Sequence, residues 1–395
     1  MSYAQLALVL VIAFAASAIA IRTMQPFAWR VGLIDKPNAR KHHVGRVPLI
    51  GGLCFFAGTL VGTVFLDVSD KFVDALLLTA LPIALIGAID DAKDLSVRAR
   101  LLVQSFATLG MIASTGVYIE NLGNIFGTGD LHLGLYGIPL TLVAVIGLIN
   151  AFNMLDGIDG LAGSLTLVSI ASIMLFARHA TGGADIMLLL PVLSAALIPY
   201  LCANLGLWPN RKIFMGDAGS MLIGYLLAWS LIYLSQHVHS GMSSIDVLWC
   251  VAVPVLDTLA IMYRRMRKGQ SPFKPDREHL HHILLRAGLG PRRTLLAICA
   301  LGCALTAVGL LIQHVPYGFS AIVFALLLIG YIAALNYGSR VYKSVDNQPV
   351  HPAAKATVVS LPDRSKQFAN ARHGDHSPPS RIFASRLTHS RRSTD

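Results

Sequence analysis

Apolar stretches recur along almost the whole chain, each long enough to cross the ~30 Å hydrocarbon layer of a bilayer as a helix. Hydropathy resolves about eleven of them, near residues 3–24, 48–66, 72–89, 100–118, 131–149, 161–179, 185–205, 218–236, 245–263, 294–313 and 317–337. Backbone placed in lipid must satisfy its own hydrogen bonds, and a helix does so within the segment. The expected fold is therefore all-α: a polytopic integral membrane protein of about eleven transmembrane helices. Composition agrees. Hydrophobic residues make up 54% of the chain and charged ones 13%, against roughly 25% charged in an average soluble domain. An ordinary cytosolic enzyme, a disordered protein and a secreted disulfide scaffold are excluded. The first stretch lacks a basic region before it and has one after it, so it is expected to be a retained helix, not a cleaved signal.

Lys and Arg orient the helices. Of 32 basic residues, 30 fall in alternate connections: 22–47, 90–100, 206–217, 264–293 and the stretch from 338, while 150–160 belongs to the same set and holds none. Lys71 and Arg178 alone fall in the others. The first set is expected to be cytoplasmic, with the N-terminus outside and the C-terminus inside. Residues 338–395 hold no apolar run and are rich in Arg, Ser, His and Pro. They are expected to form a basic, disordered cytoplasmic tail after a transmembrane domain at 1–337. The formal net charge of +11 thus reduces to topology and tail, with no nucleic-acid partner needed. The cysteines, Cys54, Cys202, Cys250, Cys299 and Cys303, all lie in apolar runs and form no CxxC pair. They read as small buried hydrophobes. Gly58 and Gly62 could serve a homodimer face or close packing inside the bundle.

Acidic residues carry the chemistry. Asp35, Asp90, Asp91, Asp94, Asp156, Asp159, Asp217, Asp257 and Asp276 lie on or near the basic side. Carboxylates gathered beside an anionic leaflet need a compensating cation. Asp90 and Asp91, with Asp94 four residues past Asp90, can turn two carboxylates to one face if their helix continues. Hard oxygen ligands of this kind suit Mg²⁺ or Mn²⁺ bridging a pyrophosphate. The plain alternative is an acidic cap paired with Lys93 and Arg98. Asn150, Asn153, Asp156 and Asp159 recur every three residues and can share a helix face, interrupted by two Asp-Gly pairs that admit a ligand close to the backbone. In Gly216-Asp217-Ala218-Gly219-Ser220, Asp217 reads either as a helix N-cap or as a metal ligand with the helix N-terminus facing phosphate oxygens. The last long loop carries Arg264, Arg265, Arg267 and Lys268, then His279, His281 and His282. His279 and His282 would share a helical face. A zinc site lacks a Cys or Glu partner at fitting spacing, so hydrogen bonding to phosphate or sugar suits this loop better. The Arg cluster is also the expected topogenic signal. Asp257 lies inside the ninth span, where an ionisable residue is a functional candidate, with an Arg on a neighbouring helix as its expected partner.

Together these groups describe one cytoplasmic-face site for a water-soluble phosphate donor and a lipid. The set Asp90-Asp91…Asp94, Asn150-x-x-Asn-x-x-Asp-Gly-x-Asp-Gly-Leu161, Gly216-Asp217-x-Gly-Ser220 and His279-Leu-His-His282 resembles the polyprenyl-phosphate N-acetylhexosamine-1-phosphate transferases. Asp35-Lys-Pro-Asn-Ala-Arg-Lys-His42 is similar to that family's first cytoplasmic loop. The resemblance covers roughly residues 1–337 and is greatest to the bacterial undecaprenyl-phosphate GlcNAc-1-phosphate transferase branch. The peptidoglycan branch usually carries Pro-x-His-His-His in the last loop, whereas this loop reads Asp276-Arg-Glu-His-Leu-His-His282, which argues against a muramyl-pentapeptide donor.

The resemblance implies transfer of a sugar-1-phosphate, GlcNAc-1-phosphate first, from a UDP-sugar to undecaprenyl phosphate, with release of UMP. It implies the first membrane step of a cell-surface polysaccharide pathway, in the bacterial inner membrane. It carries a metal ligand to Asp217, and metal- or lipid-phosphate-positioning roles to Asp90 and Asp91. Asp156, Asp159 and Asn153 would line the nucleotide side. His279, His281, His282 and Arg265 would contact pyrophosphate and sugar, with Asp94 and Asp35 as further substrate-binding candidates. Mg²⁺ or Mn²⁺ is the implied cofactor. Another UDP-N-acetylhexosamine would use the same motifs. A cation-coupled transporter predicts acids near mid-bilayer, and an intramembrane prenyltransferase does not call for the Asp-Gly or His-rich loops.

Overall fold

A computed structural model describes residues 2–35, 46–66, 70–237, 239–271 and 278–346, with side chains as far as 338. The expectations for residues 36–45, for Lys274, Asp276 and Arg277, and for the tail beyond 346 lie outside the described residues. Each expected span contains a helix. In chain order these are α1 (Tyr3–Val31), α2 (Gly51–Val64), α3 (Lys71–Lys93), α4 (Val97–Thr115), α5 (Gly137–Leu155), α6 (Leu161–Phe176), α7 (Ala184–Asn204), α8 (Gly216–Gln236), α9 (Asp246–Cys250), α10 (Ala252–Arg267), α11 (Leu280–Arg286), α12 (Pro291–Leu311) and α13 (Tyr317–Asp346). Two short strands, β1 (Ile34–Asp35) and β2 (Val47–Pro48), pair antiparallel between α1 and α2.

Local chemistry sets the ends. Ser2 and Gln5 form a capping box at the start of α1, which stops at Gly32 with φ +80°. Asp70 and Ser96 cap α3 and α4 by accepting from backbone N–H groups. The ninth expected span is broken: α9 stops at Cys250 and α10 resumes at Ala252. Pro254 explains this, because it offers no N–H to the carbonyl four residues back, which is that of Cys250. α13 runs on to Asp346, past the expected start of the tail.

Among the described residues, seven helices are long and apolar enough to cross a membrane: α1, α3, α5 with its preceding turn, α7, α8, α12 and α13. α2 and α6 are shorter apolar helices. The protein is a multi-pass helical membrane protein. α8 is its axis, with 89% of its most apolar window buried, against 17% for α13 and 22% for α1. Phe319, Ile322, Leu326 and Ile329 on α13 are exposed, as a lipid-facing helix requires.

Glycines bring the helices to α8. A Cβ on Gly52 would meet Gly219 N at 2.2 Å, and one on Gly87 would meet Ala218 Cα at 2.4 Å. One on Gly224 would meet Ile149 Cα at 2.5 Å. The Gly58 and Gly62 pair is likewise spent inside the bundle, against Ala13, Ser17 and Val192. The expectation for the cysteines holds for Cys54 and Cys250, but Cys303 is exposed and Cys202 and Cys299 are half-buried. They lie on helix faces that the bundle does not cover.

Gly224→Ala is expected to overpack α5 against α8 and cost about 1–3 kcal/mol, read as a lower melting temperature in detergent. Gly147→Ala, where a Cβ meets nothing within 4 Å, should leave it unchanged. Equal melting of the two variants would show that α5 and α8 are not in backbone contact.

Candidate active site

The Asp groups meet at helix ends. The loop before α8 is pinned to the start of α2: Gly51 N–H donates to Phe214 O at 2.9 Å, Gly52 N–H to Met215 O at 2.9 Å, and Phe214 N–H to Pro48 O at 2.9 Å. α8 then begins at Gly216 with no cap from its own segment. Its cap comes from α3. Asp91 Oδ1 accepts from Asp217 N–H at 2.9 Å and Oδ2 from Ala218 N–H at 3.3 Å. A carboxylate there satisfies orphan donors and meets the positive end of the helix dipole. Gly216 is required twice over: its φ is +73°, and a Cβ would sit 2.5 Å from Asp91 Oδ2. Sequence alone leaves Asp217 open between cap and ligand. The structure gives the cap to Asp91 and leaves the Asp217 carboxylate to face outward, with 38% of its side chain exposed.

Asn153, in the last turn of α5, donates to Asp217 Oδ1 at 2.9 Å and to Ser220 Oγ at 3.0 Å. Arg100, in the first turns of α4, bonds Asp90 Oδ2 at 2.7 Å and lies 3.6 Å from Asp217 Oδ2. Asp90 is buried, and its Oδ1 accepts from Leu95 N–H at 2.6 Å. The plain alternative, an acidic cap paired with Lys93 and Arg98, is not what forms: the partner of Asp90 is Arg100, and Lys93 and Arg98 are exposed. A signal existed: a cation in the first turns of a helix opposes the dipole and needs another reason to be there. The helix also does not continue through Asp94. That residue ends α3 in the left-handed region at φ +52°, exposed, and joins none of these bonds.

Nor does one helix face carry Asn150 through Asp159. α5 ends at Leu155 and α6 starts at Leu161, because the Asp-Gly pairs favour turns over helix. Asn150 turns to Ile146 O and Gln104. Asp159 pairs with Lys212 at 2.6 Å, and Lys212 also donates to Asn204 O. Asn204 holds the turn, accepting from Gly160 N–H at 2.6 Å and donating to Ile213 O at 2.9 Å. Burial, then the charges of Asp217 and Asp159, push the Asp156 carboxyl up to about 7.

The His-rich loop closes on the same turn. His281 is buried, and a Cβ on Gly157 would lie 2.1 Å from its Nε2. Burial first, then His282 and His279, push its ring down to about 3, so it is neutral at ordinary pH. Among the described residues neither of its ring nitrogens has a hydrogen-bond partner. His279 precedes α11 instead of sharing a face with His282. Its Nδ1 lies 2.7 Å from Asp257 Oδ2. Asp257 thus takes His279, Leu280 N–H and Tyr331 as partners, not the expected Arg. Arg264 is buried and bonds both the carbonyl and carboxylate of Glu278, so it is more than a topogenic charge. Arg265 is buried. Asp35 is buried in β1, which packs against α3. Arg100, Lys212, Asn204 and Tyr331 are the contributors that motif spacing did not single out.

The residues fit a divalent cation. Asp90, Asp91, Asp156 and Asp217 converge with Arg100 as the cation bonded among them. Among the described residues no three His, Cys, Asp or Glu are grouped to hold a metal unaided. Mg²⁺ commonly binds through one or two carboxylates plus substrate phosphates, and the half-exposed Asp217 offers that.

Fold and site together define a multi-pass membrane protein with a carboxylate-rich site built from helix ends. Residues 73–235 match glycosyl transferase family 4. The chain is 37% identical over 306 residues to an undecaprenyl-phosphate alpha-N-acetylglucosaminyl 1-phosphate transferase of Yersinia pestis, covering 77% of this chain and 84% of that one. It is 39% identical over 310 residues to the protein of that name from Escherichia coli O157:H7, with the same coverage. It is 37% identical over 338 residues to the one from Haemophilus influenzae, covering 85% and 95%. The chain belongs to glycosyl transferase family 4, which bears out the resemblance drawn from its motifs.

Asp156 makes stability pH-dependent with a definite sign. An unfolded Asp titrates near 4, so the folded state holds this proton more tightly and loses stability as pH rises from about 4 to about 7. The metal-free protein is expected to melt lower at about pH 8 than at about pH 5, and Asp156→Asn to shrink that difference. An undiminished difference in Asp156→Asn would refute the assignment.

Proposed function

We propose that the chain transfers N-acetylglucosamine-1-phosphate from UDP-GlcNAc to undecaprenyl phosphate and releases UMP. The relatives' names supply the reaction. One observation carries it to these residues: Asp217 stands outward on the first turn of α8, fixed by Asp91 and Asn153 and facing Asp90 and Arg100. The setting is the bacterial inner membrane, crossed eleven times, with α9 and α10 as one broken crossing, the N-terminus outside and the site on the cytoplasmic face. The Lys and Arg distribution supports that orientation, and the bonded ends of α3, α4, α5, α8 and α10 carry the basic connections.

An oxygen of the lipid phosphate attacks the phosphorus that bears the sugar. The bond from that phosphorus to the bridging oxygen breaks, and UMP leaves with the electron pair. Both reactants are anions, so catalysis is positioning and charge compensation. Bound Mg²⁺ or Mn²⁺ supplies charge compensation for the diphosphate, held by Asp217 with Asp90 beside it. Arg100 offsets the carboxylates and donates toward the phosphates. Asp91 works through Asp217 by fixing the end of α8. Asn153 sets the Asp217 rotamer. Asp156 and Asp159, with the Asp159–Lys212 pair, line the nucleotide side. His281 and His282 with Arg265 serve the sugar and diphosphate; Asp35 and Asp94 stand at the margin. Both oxygens of Asp90 are bonded and the residue is 5% exposed, which supports direct attack over a covalent Asp90 intermediate.

Purified protein with undecaprenyl phosphate, Mg²⁺ and a panel of UDP-sugars is expected to release UMP with UDP-GlcNAc. Chelation should abolish release, and added Mg²⁺ or Mn²⁺ should restore it. Asp217→Ala should lower turnover by at least about 10²–10³-fold with normal membrane insertion. If no UDP-sugar yields UMP, the reading fails; release from another N-acetylhexosamine alone would change the donor and keep the site.

A further inference from the structure

Asp257 is fully buried in α10, away from the ends that carry the carboxylate cluster. Its Oδ1 accepts from Leu280 N–H at 3.0 Å and from the Tyr331 hydroxyl at 3.0 Å. These two bonds already tie α10 to α11 and α13. The third, between Oδ2 and His279 Nδ1 at 2.7 Å, does something tethering does not require. An ionised carboxylate has no proton to give, so Nδ1 must carry the ring proton. In the neutral ring Nε2 then keeps its lone pair.

The His279 ring is in contact with the site. It stacks on His281 at 5.8 Å between centroids and 10° between planes, and His281 rests on Gly157 in the Asp-Gly turn. A neutral Nε2 can only accept a hydrogen bond. A fully ionised diphosphate has none to donate, so this nitrogen does not match it. A sugar or ribose hydroxyl does.

We propose that Asp257 is a positioning residue that fixes His279 in the Nδ1–H form, so that Nε2 accepts a hydrogen bond from a hydroxyl of the bound UDP-sugar. This rests on the transferase reading and sharpens it: His279 reads a hydroxyl, while diphosphate recognition falls to other groups. Asp257→Asn keeps the shape and reverses the logic. The amide oxygen still accepts from Leu280 and Tyr331, the amide nitrogen then faces Nδ1, and the ring proton moves to Nε2.

Two readouts test it. Nitrogen-15 NMR of histidine-labelled full-length protein, assigned by difference against His279→Gln, should show Nδ1 protonated and Nε2 bare in the wild type, and the reverse in Asp257→Asn. In the UMP-release assay, Asp257→Asn should raise KM for UDP-GlcNAc about 10–100-fold, with a smaller change in kcat and an unchanged KM for undecaprenyl phosphate. Combined with His279→Gln it should add nothing further. An imidazolium or an Nε2–H ring in the wild type overturns the proposal, as does a wild-type KM in Asp257→Asn or an additive double variant. If Asp257→Asn does not fold, the wild-type spectrum still decides. If wild-type protein releases no UMP, the transferase reading fails while the spectrum independently settles the tautomer.

Discussion

The site hangs on one contact: the Asp91 carboxylate seated on the first two free N–H groups of α8. A helix that starts inside a bundle must find acceptors for those donors. α8 has none in its own approach segment, so α3 supplies it. The demand propagates backward into glycines. Gly87 and Gly52 let α3 and α2 reach the α8 backbone, and Gly216 leaves room for the carboxylate. It also propagates forward. Once Asp91 is spent on the cap, Asp217, the next acid met along α8, is released from capping and turned toward the ends of α4 and α5. Two aspartates of identical chemistry acquire opposite duties because one meets backbone N–H and the other meets solvent.

Electrostatics makes that arrangement useful. Two like charges 4 Å apart repel by about 4 kcal/mol at an effective dielectric of 20. Among the described residues Arg100 is the cation against Asp90 and Asp217, and Lys212 is engaged at Asp159. The raised Asp156 carboxyl is one sign of the surplus. In the proposed reaction such a site would gain from a divalent cation twice, once against its own carboxylates and again against two anionic substrates.

What the sequence made legible was what is local. Each apolar run did contain a helix, since lipid selects for hydropathy residue by residue. The break at Val251 was not read from the apolar run, although Pro254 accounts for it. The grouping of aspartates with the alternate connections that hold most Lys and Arg was legible from sequence positions alone. Their division of labour was not. Asp91 and Asp217 are 126 residues apart, and neither neighbourhood reveals which will cap the other's helix. Arg98 and Arg100 differ by two positions, which puts them on different faces of α4; choosing between them needs the rotation of that helix against α3. The three-residue spacing from Asn150 to Asp159 looked like one helical face, but Gly157 and Gly160 end the regular backbone, and the last two aspartates sit in a turn. Asp257 announced itself by depth, while its partner lay across a loop whose path periodicity does not encode.

That the site is made almost wholly of helix ends suits what the proposed reaction must join. A polyprenyl chain stays in the hydrocarbon and a nucleotide stays in water, so their phosphates can meet only at the boundary. Helices cross that boundary at their ends, where unpaired N–H groups and left-handed turns collect. A site in mid-helix would have to bury carboxylates in lipid, and one on a free loop would lack the rigidity that in-line attack requires. The bundle resolves this by anchoring these segments with buried or half-buried polar side chains. Asn204 holds the Asp-Gly turn, Asn153 holds Asp217, and Asp257 holds the His-rich segment. Each anchor is an amide or carboxylate that makes two or more bonds, at least one of them to the loop it holds or to the functional side chain it orients. Precision at the boundary is therefore set one layer deeper, inside the helices, where water does not compete for the same bonds.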